Sequence, residues 1–249
     1  MNIFVCISNV PDTTTRIKYK PGNKEVDYTG VQWIINPWDE LALTRAIELK
    51  EANQAAIQKI TVITVGKADA EPTLRKALAI GADDAIRVDV APEDAYTTAV
   101  QLAEVLKSEK DALILSGVES SDFNSWSVGG MLAELLDAPS VSAVSSLNIE
   151  AGNVVVTREI EGGKQTITTT IPSVLIVQKG IAIIPRIPSM RGIMTARTKP
   201  LKVVQGIASQ PMVKVLDYQA PAQKSSCRMI DPENIEELID LLHREARVI

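Results

Sequence analysis

The first half of the chain alternates short apolar runs with segments whose apolar residues repeat every three or four positions. Such alternation predicts strands and helices in turn, and therefore a mainly parallel sheet with helices on both faces. The expected order is strand Ile3–Ser8, a helix from Pro37 to about Ala52, strand Lys59–Val65, helix Ala70–Ile80, strand Ala85–Val90, helix Glu93–Ser108, strand Ala112–Ser116 and helix Val128–Leu136. This order indicates a doubly wound, Rossmann-like α/β fold, whose ligands bind beyond the carboxyl ends of the strands.

After Pro139 the pattern changes to the period of two that is typical of half-buried strands. Glycine-containing turns at Gly152-Asn153 and Gly162-Gly163 separate these strands. The sequence therefore predicts an additional antiparallel β region at about 139–180. Its expected strands are Val141–Ile149, Val154–Ile160 and Gln165–Thr170, followed by a strand at Ser173–Gln178.

The C-terminal part begins with residues 199–230, which show little periodicity and contain three prolines. This stretch predicts an extended arm, which leads to a final helix that starts at Asp231-Pro232. The apolar stripe of that helix is Ile235, Leu238, Ile239 and Leu242. Such an arm either docks on another protein or packs back on its own sheet, and the pattern leaves both open. We therefore divide the chain into an α/β domain, 1–200, and an arm with its helix, 201–249.

Two helix starts lie where an α/β fold binds anions. Asn36 suits an N-cap and Pro37 the first helical position, while Asp39 favours the positive end of the helix dipole. The second is GVESSDFNSWSVGG, residues 117–130, here called the nucleotide loop, which joins a strand to a helix. The free N–H groups of a helix start can bind a phosphate. The loop contains neither GxGxxG nor GxxxxGK[ST], so by itself it predicts no particular nucleotide.

Charge and composition exclude several classes of protein. With 26 Lys and Arg against 31 Asp and Glu, the net charge of −5 argues against a general nucleic-acid binder. The single histidine, His243, nearly excludes catalytic triads and histidine-based metal sites. Cys6 and Cys227 have no metal-binding spacing, which favours a reducing compartment. Because we find neither an export signal nor an apolar run long enough to span a membrane, we expect a cytoplasmic protein.

Six motifs, in order, resemble the β subunit of an electron transfer flavoprotein. They are Val10-Pro11-Asp12, Asn36-Pro37-Trp38-Asp39-Glu40, Ala77-Leu78-Ala79-Ile80-Gly81-Ala82-Asp83, the nucleotide loop with Gly129, Arg158-Glu159-Ile160-Glu161-Gly162-Gly163, and Pro185-Arg186 followed by Gly192-Ile193-Met194-Thr195-Ala196-Arg197. The resemblance runs from residue 2 to about 200 and implies an adenine nucleotide alpha hydrolase-like α/β core.

The resemblance implies an electron carrier subunit rather than an enzyme. In that family the β subunit forms a heterodimer with an α subunit, which holds most of the redox-active FAD. Electrons come from a flavin dehydrogenase, such as the acyl-CoA dehydrogenase of fatty acid oxidation, and pass to a respiratory acceptor. The β subunit binds AMP as a structural ligand. One alternative is an electron-bifurcating β subunit with a second FAD in place of AMP, and another is a nucleotide-binding stress-type α/β protein.

The resemblance also assigns residues to the nucleotide. The implied cofactor-binding residues are Cys6, Asn36, Asp39, Val65, Gly117, Asp122, Asn124, Trp126, Ser127, Val128 and Gly129. The sequence departs from the family pattern at residues 123–127, where Trp126 is bulky and Ser127 is shorter than the usual glutamine. Trp126 therefore leaves two further possibilities open, an empty pocket that the indole fills or a contact with a partner.

A second set of residues is assigned to partner proteins. Residues 181–197, here called the recognition loop, match a family segment whose apolar side chain enters a pocket on the dehydrogenase. Met190 matches that anchor, and methionine suits a surface that meets several partners. The accompanying residues are Pro185, Arg186, Ile193 and Met194, and Glu159 matches a glutamate that contacts an arginine of the α subunit. The plain alternative for the loop is a buried connection.

Overall fold

A computed structural model describes residues 1–53, 55–150, 152–222 and 226–249. These residues form two compact units, one of residues 1–18 and 27–216 and one of residues 19–26 and 217–249. None of the described helices has the length and apolar character that a membrane crossing requires. Each unit is taken by itself below.

The strands, in chain order, are β1 (Asn2–Cys6), β2 (Asn9–Pro11), β3 (Lys18–Tyr19), β4 (Val26–Asp27), β5 (Trp33–Ile35), β6 (Lys59–Val65), β7 (Asp84–Asp89), β8 (Ala112–Gly117), β9 (Ser140–Glu150), β10 (Asn153–Ile160), β11 (Gly163–Thr169), β12 (Ser173–Val177) and β13 (Leu201–Gln205). The helices are α1 (Pro37–Ala52), α2 (Glu71–Ile80), α3 (Ala95–Leu106), α4 (Val128–Leu135), α5 (Met190–Ala196) and α6 (Ile235–Leu241). A 3₁₀ turn at Ala68–Ala70 precedes α2.

The first unit is built on a nine-stranded sheet in the order β11-β10-β9-β12-β8-β1-β6-β7-β13. Strands β12, β8, β1, β6 and β7 pair in parallel, because each returns through a crossover connection. Apolar side chains of α1 and α2 pack on one face of the sheet, and those of α3 and α4 on the other. The doubly wound, mainly parallel α/β fold expected from the sequence is therefore confirmed.

The antiparallel region continues this sheet. β10 pairs antiparallel with both β9 and β11, as the alternating pattern predicts. β9 then pairs in parallel with β12, which joins the region to the parallel strands. Val154 and Val156 of β10 are buried in the same apolar cluster as α1, so one face of the extension shares the main core.

The expected irregular arm from residue 199 is wrong at Leu201–Gln205, which form β13. β13 lies at the sheet edge and pairs in parallel with β7. A strand of five residues is too short for its hydrophobic pattern to be recognised in the sequence. It forms because the edge of β7 supplies backbone hydrogen-bonding partners. Beyond β13, the amide group of the buried Gln101 exchanges two hydrogen bonds of 2.8 Å with the backbone of Ile207. The first part of the arm is therefore fixed to the first unit.

The second unit contains α6 and the π-helical turn Leu242–Ala246 that follows it. The rings of Tyr19 and Tyr218 stack with centroids 5.5 Å apart. The apolar stripe predicted for the last helix is present, but Ile235, Leu238 and Ile239 are all exposed within this unit. Residues 223–225 of the predicted arm lie outside the described residues.

Candidate functional site

The carboxyl ends of β1 and β8 form the point where the strand order reverses. The chain leaves β1 towards α1 and β6, whereas β8 leads through α4 to the opposite half of the sheet. The two following loops diverge here, and this is where open α/β sheets bind ligands. The predicted nucleotide-binding residues lie around these ends and the end of β6.

Asp39 ties the ends of the two strands together. Its Oδ2 accepts a hydrogen bond of 2.7 Å from the Ser8 amide after β1, and its Oδ1 accepts one of 3.0 Å from the Gly117 amide of β8. The side chain is buried. Burial raises the pKa of Asp39 to about 7, and the amides of Ser8 and Gly117 act in the opposite direction. Asp39 is therefore a structural link beneath the site.

Asn36 occupies the N-cap position of α1, but its side chain does not cap the helix, which corrects the sequence expectation. Its Nδ2 donates to the carbonyl of Glu119 at 2.7 Å, and its Oδ1 accepts from the amide of Ser121 at 3.2 Å. The nitrogen and the oxygen of the Asn36 side chain thus both bond to the nucleotide loop, because that loop lies beside the helix start. Asn36 is fully buried and fixes the base of the loop.

Gly117 is required by close packing. A Cβ at this position would collide with Oδ1 of Asp39 and would lie 2.8 Å from Cβ of Trp38. The resemblance assigns this glycine to the nucleotide, and in the structure the start of α1 packs directly against it. Gly129 is similar, because a Cβ there would lie 2.6 Å from Cγ1 of Ile176 on β12.

The middle of the nucleotide loop is exposed. Asn124 and Trp126 have φ angles of 50° and 54°, in the left-handed region that side-chain-bearing residues seldom adopt. The indole N–H of Trp126 donates to the carboxylate of Glu119, and 59% of the residue is exposed. The indole therefore does not fill a pocket. Asp122 is also exposed, so neither side chain is committed to the protein interior.

The loop ends at the first turn of α4, where backbone donors are available. Ser127 precedes this helix, but its hydroxyl donates to the Ser125 carbonyl at 2.6 Å and no side chain caps the turn. Val128 and Gly129 begin the helix. The amides of a first helical turn have no partner within the helix, so they suit a negatively charged group.

Cys6 and Val65 end neighbouring parallel strands, as expected, and both are buried. Burial, with a smaller contribution from the negative charge of Asp39, raises the pKa of the Cys6 thiol. Cys6 is therefore a neutral core residue with no nucleophilic role. Val65 also lines an open cavity of about 180 Å³ between the ends of β6 and β7 and Ile207 of the arm.

The recognition loop forms a second candidate surface. Its large apolar side chains are exposed rather than buried in a connection, with Ile183 at 96%, Ile187 at 84% and Met190 at 77%. Ile184, Ile193 and Met194 are also exposed. Monomeric proteins seldom expose such a contiguous set unless another molecule covers it.

Met190 is the first residue of α5, so the C-terminal half of the recognition loop is helical. The hydroxyl of Ser189 accepts from the Gly192 amide at 3.1 Å and caps this helix, which explains why it starts here. A Cβ at Gly192 would collide with the carbonyl oxygen of Ala79, so α5 lies directly on the backbone of α2. The buried Ala196 lies one turn later on the same side of the helix.

Two basic residues connect the C-terminal ends of α2 and α5 by hydrogen bonds to backbone carbonyls. Arg75 of α2 donates to the carbonyls of Ala196 and Lys199, at 2.8 and 2.7 Å. Lys199 in turn donates to the carbonyls of Leu78 and Ala82, at 2.9 and 2.6 Å. Positive side chains at helix C-termini satisfy carbonyls that have no other partner. Helix α5 therefore has a fixed base.

Arg186 holds the other end of the recognition loop. Its guanidinium forms two hydrogen bonds with the Glu51 carboxylate, at 2.8 and 3.0 Å, and its amide donates to the Thr44 hydroxyl at 3.0 Å. Pro185 is exposed beside it. Arg186 thus fixes this end of the loop to α1.

Glu159 lies on β10, outside both the nucleotide loop and the recognition loop. Its Oε2 accepts from Nε2 of Gln178 at 3.2 Å, and its Oε1 lies 3.8 Å from Nζ of Lys164. The carboxylate is half exposed. These weak surface contacts leave it accessible to another protein.

Sequence reasoning missed several residues that shape these sites. No sequence motif singled out Glu119, yet its carbonyl accepts from Asn36 and its carboxylate accepts from the indole of Trp126. Arg75 and Lys199 were missed because their carbonyl partners are distant in sequence. Gly192 and Ala196 carried a readable signal, since small residues four positions apart indicate close helix packing.

Comparisons with known proteins agree on one family. A family model described as the electron transfer flavoprotein domain matches residues 25–208. The chain is 35% identical to the electron transfer flavoprotein subunit beta of Bacillus subtilis (strain 168), with both chains covered completely. It is 36% identical to the subunit beta of Syntrophomonas wolfei, with 94% of this chain and 91% of the relative covered. It is 29% identical to the human subunit beta, over 100% and 99% of the two chains.

Proposed function

Because this chain belongs to the electron transfer flavoprotein subunit beta family, we propose that it passes electrons as the β subunit of an α/β heterodimer. The donor is a flavin dehydrogenase, such as an acyl-CoA dehydrogenase of fatty acid oxidation, and the acceptor is a respiratory protein. The α subunit holds the redox-active FAD. The β subunit itself catalyses no making or breaking of covalent bonds. It supports the α subunit, binds AMP and docks the dehydrogenase.

The observation that carries this proposal is the exposed apolar surface of the recognition loop on a rigid base. Ile183, Ile187 and Met190 are almost fully exposed, while Arg186 and the α5–α2 contacts hold the surrounding backbone. A fixed surface loses little conformational entropy when a partner binds. Such a surface suits brief, repeated encounters with an electron donor.

The proposed AMP site lies at the carboxyl ends of β1 and β8. The amides of Ser127, Val128 and Gly129 fit a phosphate, since they lie at a helix start that no side chain caps, and Ser127 and Val128 are partly exposed. Asp122 and Asn124 lie in the exposed part of the loop and are the proposed contacts for ribose hydroxyls or the base. When bound, AMP would supply no redox chemistry. It would connect the exposed part of the nucleotide loop with the first turn of α4.

Three of the implied cofactor residues receive a different proposed role. Asn36 and Asp39 form hydrogen bonds with the nucleotide loop, and Gly117 packs against the start of α1. We therefore propose that these three residues support the site structurally. Cys6 and Val65 form its buried floor. Trp126 faces outward and is proposed to border the ligand without blocking it. The arm and helix at 201–249 and the half-exposed Glu159 are the proposed contacts with the α subunit.

The test is to purify the chain together with its α subunit and to count ligands released by denaturation. We expect one FAD and one AMP per heterodimer. We also expect Trp126→Ala to retain AMP, because the indole lies outside the site. Two FAD would show a bifurcating protein, and AMP bound only by Trp126→Ala would show that the indole excludes the nucleotide. Failure to form any complex with the α subunit would reject the proposed function.

A further inference from the structure

Helix α5 presents one exposed stripe that extends beyond the residues assigned above. Met190, Ile193, Met194 and Arg197 follow the spacing i, i+3, i+4 and i+7, so they share one side of the helix. All four are exposed. The side formed by Gly192 packs on α2. The stripe is therefore an apolar strip that ends in a cation.

The cations of this helix have no partner within the described residues of the chain. The side chains of Arg191 and Arg197 are exposed and form no hydrogen bond or ion pair there. Glu51 of α1, the helix to which Arg186 fixes the recognition loop, is already engaged, because it pairs with Arg186 at 2.8 Å. The single acidic residue of α2, Glu71, pairs with Arg87 at 3.0 Å. An otherwise acidic chain of net charge −5 thus keeps two free positive charges beside its exposed apolar strip.

We propose that the dehydrogenase surface that receives α5 is an apolar groove flanked by carboxylates, and that Arg191 and Arg197 pair with those carboxylates. This inference rests on the proposed function and adds the charge of the partner. A second copy of the chain fits less well, since a two-fold contact through this strip would bring the same cations together. The apolar strip supplies the buried contact, and the two arginines lie at its margin.

Charges at the margin of an interface mainly raise the association rate and set its dependence on salt. Their effect falls with ionic strength, because the screening length is about 30 Å at 0.01 M salt and about 3 Å at 1 M. The two arginines should therefore change the apparent KM of the dehydrogenase for the heterodimer at low salt. They should leave kcat unchanged, because charges at an interface margin act on association.

The experiment measures reduction of the intact heterodimer by a substrate-reduced acyl-CoA dehydrogenase of the same organism. The variants are the double substitution Arg191→Gln with Arg197→Gln, the surface control Lys110→Gln, which removes one exposed positive charge on the α3–β8 connection, and Met190→Ala. For the double variant we expect KM to rise about 3- to 10-fold at low salt and to approach the wild-type value near 0.5 M salt, as screening predicts. Lys110→Gln should match the wild type at every salt concentration.

Equal salt dependence of the double variant and Lys110→Gln would overturn the charged-groove inference alone, provided that Met190→Ala still weakens the reaction. If Met190→Ala also has no effect, the recognition-loop part of the proposed function fails as well. Loss of heterodimer in the double variant would assign α5 to the α subunit instead. Binding of the wild-type heterodimer, but not the double variant, to phosphatidylserine vesicles would assign the face to lipid. Either loss of the heterodimer or vesicle binding would contradict the inference.

Discussion

Replacing Asp39 with alanine is expected to lower the free energy of unfolding by about 2–4 kcal/mol, because each buried amide left without a partner costs about 1–3 kcal/mol. The Asp39 carboxylate accepts from the amides of Ser8 and Gly117, at the ends of β1 and β8. Alanine removes both acceptors. Part of this loss is offset, since the variant no longer buries a carboxyl group. Urea-induced unfolding followed by circular dichroism measures the difference.

The matched control is Glu48→Ala on the same helix. Glu48 pairs with Arg45 at 2.9 Å, but its side chain is 42% exposed. Exposed pairs contribute about 0–1 kcal/mol, so this variant should stay close to the wild type. Equal losses of stability in the two variants would show that Asp39 does not link the strand ends.

The same residue predicts how stability depends on pH. The pKa of Asp39 is raised from 3.8 to about 7 by burial, so between these values the folded chain binds more protons at this site than the unfolded chain. The contribution of Asp39 to stability is therefore present at low pH and is lost as pH rises from about 4 to about 7. In Asp39→Asn this component should disappear. If the wild type and Asp39→Asn gave parallel stability profiles between pH 4 and 8, the raised pKa would be wrong.

The second large effect is expected from Met190→Ala. Met190 is 77% exposed at the start of α5 and is the proposed anchor for the dehydrogenase. Truncation of a central apolar anchor costs about 1–3 kcal/mol of binding, which corresponds to a loss of about 5- to 150-fold in kcat/KM. Most of the Met190 side chain is exposed, so the heterodimer and its flavin content should not change. Steady-state reduction by the dehydrogenase measures kcat/KM.

Met131→Ala provides the matched control for this substitution. Met131 is also exposed, but it lies on α4 and outside the recognition loop. A general effect of removing a methionine side chain would appear in both variants. An unchanged kcat/KM in Met190→Ala would show that the anchor lies elsewhere on the loop.

The sequence identified the elements and their positions well where a long periodic pattern was present. Strand β6 at Lys59–Val65 and helix α1, which starts at Pro37, match the expectation. The short strand β13 was missed because its pairing with β7 decides its conformation. Likewise, the sequence could place Asn36 at a helix start, but the hydrogen bonds of its side chain depend on Glu119 and Ser121, more than 80 residues away.

By itself the sequence determined the α/β fold, the family and the positions of both candidate sites, because periodicity and ordered motifs are local properties of the chain. The tertiary structure decided what each residue does there. It engaged Asn36, Asp39 and Gly117 in holding the strand ends, turned Trp126 outward, and seated α5 on α2 with Met190 exposed. Those outcomes depend on which distant groups meet in space, where packing and hydrogen-bond geometry select one partner among many.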